Sequence, residues 1–121
     1  GATLRGFYST SQYVDDEGTV VYGTISFGTT LAAKPTAHYI AYNETPPAEC
    51  PGNVGQPEAA AGHLCVYEDG RLNIETASVT TTAGENNEAA FGALVNAVPV
   101  ERFSTPVRAA SVHGTWAVTA P

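Results

Sequence analysis

Ser111-Val-His-Gly-Thr-Trp-Ala-Val-Thr-Ala120 alternates from end to end. Gly114, Trp116, Val118 and Ala120 fall on one side of an extended chain, and His113, Thr115, Ala117 and Thr119 on the other. Trp116 is the chain's only tryptophan and reads as the largest residue of a core rather than as a ligand platform. A strand this apolar belongs in the interior of a sheet, because an apolar edge invites pairing with other chains.

The same period of two recurs upstream. Leu4–Ser9 reads as a first strand. Thr19–Phe27 follows a polar turn at Asp15–Gly18, with Val21, Gly23, Ile25 and Phe27 on one face and Tyr22, Thr24 and Ser26 on the other. Thr36–Asn43 is the next strand. Glu44–Gly62 is then a long irregular loop rich in proline and glycine, uncommon inside a compact domain. His63–Glu68 and Arg71–Thr81 flank an Asp-Gly hairpin signal at Asp69-Gly70. A polar turn at Ala83–Glu88 leads to Ala89–Val98, apolar on both faces, with Phe91, Ala93 and Val95 opposed by Leu94 and Val98. Pro99–Arg108 connects it to the last strand, Ala109–Ala120. No stretch has a helical period. The expectation is a single all-β domain over residues 1–121, an antiparallel β-sandwich, jelly-roll-like in its strand order.

Composition narrows the partners. The chain has 121 residues, enough for one real core. Charged residues make up only 14% of it, well under the usual share, and the formal net charge is −7. With no basic stripe to neutralise phosphates, nucleic acid is a poor partner. No apolar run approaches the ~20 residues of a membrane-spanning helix, so membrane insertion is not expected. The start at Gly1 and the lack of methionine read as a processed or excised fragment.

Cys50 and Cys65 have fourteen residues between them. In a small domain of extracellular character an even count reads as a disulfide, and a Pro/Gly-rich loop gains roughly 3 kcal/mol from such a staple. Two buried free thiols are the plain alternative. Zinc is a third reading, with His63 beside Cys65, but a structural site wants four ligands and only three are near. No Gly-x-Ser-x-Gly elbow is present. His38, His63 and His113 fall on separate strands without an evident acid partner. The neighbouring acids Asp15, Asp16 and Glu17, and Glu68 with Asp69, read as solvated turns rather than calcium ligands. No catalytic residue, cofactor or metal is therefore expected, save that a histidine on a three-fold axis would be met by two copies of itself. Asn43-Glu-Thr45 is an N-glycosylation triplet.

Two segments carry a resemblance. Ala37-His-Tyr-Ile, Pro46-Pro-Ala-Glu-Cys-Pro-Gly-Asn-Val and Ala61-Gly-His-Leu-Cys-Val-Tyr67 form one, and Gly114-Thr-Trp-Ala-Val-Thr-Ala-Pro121 the other. Together they resemble the C-terminal globular domain that follows Gly-Xaa-Yaa repeats in bacterial collagen-like proteins, especially those of actinobacteria. The resemblance implies a non-catalytic head of a secreted or cell-surface protein. That head is a homotrimer beside a collagen triple helix, of which Gly1-Ala2-Thr3 would be the last triplet. The alternative is a recognition head whose loops bind a carbohydrate or a receptor protein. Phe91, Leu94, Val95, Trp116 and Val118 are the residues expected in the core or the trimer interface, with one apolar face of Ala89–Val98 covered by a partner or by the loop Glu44–Gly62.

Overall fold

A computed structural model describes residues 2–14, 20–80, 90–100 and 108–121. Among the described residues there are seven strands: β1 (Thr3–Val14), β2 (Val21–Ser26), β3 (Thr36–Ile40), β4 (His63–Leu72), β5 (Ile74–Thr80), β6 (Gly92–Pro99) and β7 (Arg108–Thr119). They form a four-stranded sheet in the order β1-β7-β4-β3 and a three-stranded sheet in the order β2-β6-β5. The two sheets pack face to face as a β-sandwich around Val21, Ile25, Leu64, Val66, Val95, Val112, Trp116 and Val118. The chain is thus all-β. It departs from a purely antiparallel sandwich at one place, since β3 runs parallel to β4. Two parallel strands in one sheet cannot be joined by a hairpin, and residues 41–62 supply the crossover.

Trp116 is buried, and β7 lies inside its sheet, hydrogen-bonded to β1 on one side and β4 on the other. The pairing of β1 with β7 is locked by two reciprocal fits. Gly6 stands opposite Trp116, and the indole lies over it, with Nε1–H donating to the Phe7 carbonyl at 3.2 Å. Tyr8 stands opposite Gly114, and its ring lies over that glycine in turn. A Cβ on Gly114 would run into the Tyr67 carbonyl and the Tyr8 ring, and one on Gly6 would come within 2.8 Å of the indole. Each strand thus contributes one large ring and one missing side chain, the pairing by which an aromatic covers the surface a glycine leaves bare. Phe27, one residue past β2, closes on the indole at 5.7 Å between ring centroids.

Residues 44–62 are ordered against the sheet. Cys50 and Cys65 form the expected disulfide. Around it Ile40, Cys50, Ala59, Cys65, Tyr67 and Ala117 make a second small core, on the outer face of β4 and β7. Thr115 donates to the Val54 carbonyl and Thr119 to the Ala59 carbonyl, 2.8 and 2.7 Å. The loop therefore covers the far side of the last strand, not the second face of β6.

Several expectations need correction. β1 runs to Val14 rather than Ser9, because its polar half still alternates, with Tyr8, Thr10 and Val14 buried. The Asp69-Gly70 dipeptide makes no hairpin. β4 passes through it with a register shift between Glu68 and Gly70 against β7, and the chain turns instead at Asn73, which takes a left-handed φ of 55°. β3 ends at Ile40, which leaves Tyr42 outside the strand. Phe91 precedes β6 and is 61% exposed, so it does not share an inward face with Val95. Of the residues expected in core or interface, Val95, Trp116 and Val118 are core, and Leu94 is half-buried on the outer face of β6. The turns expected at Asp15–Gly18 and Ala83–Glu88, and most of the connection Pro99–Arg108, lie outside the described residues.

Gly114→Ala is expected to lower stability by about 2–3 kcal/mol, since the added methyl has to displace either backbone or a buried ring. Urea denaturation compared with Ala110→Gly, a deletion on the same face, measures it. A Gly114→Ala variant as stable as the parent would contradict the reciprocal fit.

Candidate functional site

Tyr8, Tyr39 and Glu68 all point inward, from β1, β3 and β4, and meet at one end of the core. Glu68 is a carboxylate only 3% exposed. Its Oε1 accepts from the Tyr39 hydroxyl and from Arg71 Nη2, both at 2.7 Å. Its Oε2 accepts from Arg71 Nε at 3.0 Å and from the backbone N–H of Tyr42 at 3.3 Å. Tyr8 donates to the Tyr39 hydroxyl at 3.3 Å. Burial pulls the Glu68 carboxyl toward a higher pKa, but the donors on Arg71 and Tyr39 outweigh it and hold the group below its ordinary value. Burial pushes both phenols well above the usual tyrosine range. A carboxylate has about four acceptor positions, and here four donors fill them. Glu68 has no lone pair left for a proton or a cation, and it acts as a tether.

What it tethers is the turn after β3. The Tyr42 N–H is held by Glu68, the Ala41 N–H donates to Glu44 Oε1 at 2.8 Å, and the Glu44 N–H donates back to the Ala41 carbonyl at 2.9 Å. Asn43 takes a left-handed φ of 63°, which asparagine tolerates better than most residues. The turn is rigid, yet its Tyr42 side chain is 60% exposed. Two clefts have Tyr42 in their walls. One, of about 530 Å³, is lined by Ala41, Glu68, Asp69, Gly70 and Arg71 besides Tyr42. The other, of about 400 Å³, lies between the turn and residues 52–55 of the disulfide loop, over Pro46 and Tyr67. The Tyr67 hydroxyl fixes that loop segment, donating to the Glu58 carbonyl at 2.6 Å and accepting from the Gly52 N–H at 3.1 Å.

The histidines lie on separate strands, as expected, but each has a polar neighbour. His38 Nε2 and His63 Nδ1 are 2.8 Å apart on the outer face of β3 and β4, so one ring donates and the other must stay a neutral acceptor. Burial and the neighbouring His63 both lower the His38 pKa, with Glu49 opposing them. His113 lies 3.5 Å from Asp69 at the β4 bulge. No group of three or more His, Cys, Asp or Glu side chains converges among the described residues, and Cys50 and Cys65 are spent on their disulfide. The alternation of Thr36–Asn43 extends the strand through Tyr42 and hides these clefts; the Asn43-Glu-Thr sequence after it is the one available sign of a turn.

Two outcomes follow. Glu68→Ala strands the Arg71 guanidinium and the Tyr39 hydroxyl, and is expected to cost about 3–5 kcal/mol in chemical denaturation; a loss below 1 kcal/mol would mean the network is not what holds the turn. The His38 effect has a definite sign. Its folded pKa is depressed, so below about pH 6.5 the unfolded chain takes up a proton that the folded chain resists, and stability falls as pH drops. A His38→Asn variant is expected to flatten the stability-against-pH curve between pH 7 and its folded titration, read from thermal melts across that range.

Compared with known proteins, the chain matches no family model, no curated protein and no solved structure.

Proposed function

We propose that the domain is the non-catalytic, homotrimeric head of a secreted or cell-surface collagen-like protein, and that it holds three chains in register. The observation that carries this is the half of the outer face of the β1-β7-β4 sheet that no described residue covers. The disulfide loop covers the half bearing Cys65, Tyr67 and Ala117. Beyond it, register places Phe7, Ser9, Ser11 and Tyr13 of β1 beside His113, Ser111 and Ala109 of β7, with Gly70 and Leu72 of β4 outermost. Phe7 is 87% exposed, Tyr13 76% and Leu72 51%. At ~150–250 Å² for a buried aromatic side chain, these residues offer each copy roughly 300–400 Å² of apolar contact, a substantial part of the ~800 Å² per partner in a stable interface. Apart from His113 with its Asp69, this row carries no ionisable side chain other than Tyr13, so copies of a chain with net charge −7 meet there with little repulsion.

The strand that bears Phe7 and Tyr13 is also the edge of its sheet. A long edge strand with exposed apolar residues is a pairing surface. β1 begins at Thr3, so a stalk joined ahead of it would be gathered by the same contact. Three collagen strands need glycine at every third position and a one-residue stagger. Linking their ends raises their effective concentration to the millimolar range and replaces a three-body encounter with a local one. The nested pairing of β1 with β7 and β2 with β6 supports a jelly-roll-like reading of the head.

A second reading, compatible with the first, is that the head also recognises a ligand. Tyr42 favours it, as an exposed ring on a turn that a buried network holds still.

Sedimentation equilibrium tests the trimer. The mass is expected near three times the 12.5 kDa of one chain, and the double variant Phe7→Ser/Tyr13→Ser is expected to sediment as a folded monomer, with its circular dichroism spectrum kept and a lower melting temperature. A parent domain that stays at the single-chain mass at micromolar concentration would refute the reading.

A further inference from the structure

We infer that the two clefts that meet at Tyr42 form one binding site for an uncharged oligosaccharide, with the Tyr42 ring as its stacking platform; this rests on the recognition reading above. The clefts share Ala41, Tyr42 and Glu68, so they meet at the Tyr42 turn. Both volumes, about 530 and 400 Å³, fall in the range of small-molecule sites. A ligand that uses both must be elongated and must cross an aromatic face. A chain of sugar rings has that form: each ring offers a flat C–H face to the aromatic and a rim of hydroxyls to polar side chains.

The polar groups are present and aimed at the right places. Asn43, next to the platform, is exposed, and its amide makes no hydrogen bond among the described residues. Asp69 is half-exposed in the wall of the larger cleft, where its carboxylate accepts paired hydroxyls at the cost of a 3.5 Å contact to His113. Arg71 uses three of its five N–H groups, on Glu68 and the Glu75 carbonyl, and has two left to give. Little has to be ordered on binding, because Glu68, Glu44 and Tyr67 already fix the turn and the facing loop. Pre-ordering of this kind is what lets a shallow site bind at all.

Charge separates the ligand classes. Among the described residues, Glu44, Glu68 and Asp69 line the clefts against one cation, Arg71, whose charge Glu68 already meets. In a chain of net charge −7, an acidic glycan is repelled. A polyamine or basic peptide would be attracted, but would leave Arg71 and the Asn43 amide without acceptors.

The test is an amide chemical-shift titration of the 15N-labelled domain with cellopentaose, xylopentaose and maltopentaose at millimolar concentrations, with spermidine and a polygalacturonate oligomer as charged probes. At least one neutral pentasaccharide is expected to shift residues 41–44, 52–55 and 69–71. Tyr42→Phe is expected to bind as the parent does, Asn43→Gly, which suits the left-handed backbone, to bind severalfold more weakly, and Tyr42→Ala to lose about tenfold or more in affinity. All three changes are at exposed positions, so unaltered melting curves confirm that the fold is kept. Shifts at Tyr42 with spermidine or polygalacturonate alone would overturn the neutral-saccharide assignment and leave the recognition reading standing. Neutral-sugar shifts that survive Tyr42→Ala would overturn the platform. Silence with every probe would overturn the saccharide site.

Discussion

The contact between the first strand and the last closes this domain. β7 carries the core face of its sheet, Ala110, Val112, Trp116 and Val118, and its two neighbours are β1 and β4. Trp116 can lie flat only because Gly6 is opposite, and Tyr8 can reach across the sheet toward Tyr39 only because Gly114 is opposite. The second of these fits links fold to surface. Tyr8 donates to Tyr39, Tyr39 to Glu68, and Glu68 holds the Tyr42 turn. One glycine in the last strand thus underlies a chain of hydrogen bonds that ends at an exposed ring.

Such a network is not a source of large net stability. Taking a carboxylate out of water costs several kcal/mol, which Arg71 and the hydroxyl offset rather than exceed. Its effect is geometric. A turn of four residues held only by its own two hydrogen bonds would sample several conformations, and the third bond, from Tyr42 to a buried acceptor, selects one. The disulfide acts in the same way on the other wall of the clefts, where it fixes Cys50 to β4 and lets residues 44–62 pack as a layer instead of a flexible span.

The strands with strict alternation were legible from sequence: β2, β6 and β7 lie within two or three residues of where the pattern put them, and the burial of Trp116 and the disulfide followed from residue type and spacing. The failures have physical causes. The second half of β1 is Ser-Thr-Ser-Gln-Tyr, too polar to read as a strand until β7 is placed beside it. The Asp69-Gly70 pair has the chemistry of a hairpin, but neighbouring β7 keeps the strand straight, and the local preference emerges as a bulge. The parallel pairing of β3 with β4 depends on the long loop crossing the sheet, a tertiary fact without a local signature. The Glu68 network was invisible for a related reason: its members are 26 to 31 residues apart or adjacent to a motif that suggested solvent.

The β1–β7 clasp also dictates a timetable. The contacts that close it join residues more than a hundred positions apart, as between Phe7 and Trp116 or Thr3 and Thr119. Contacts of that sequence separation form late and slow folding, because the entropy of closing the loop is spent before any contact rewards it. On a ribosome the segment from Thr3 to Val14 waits unpaired until residues 108–119 have emerged, so the sandwich cannot be completed from its leading end. Its middle strands can associate first, and the assembled fold appears only when translation of this segment is nearly over.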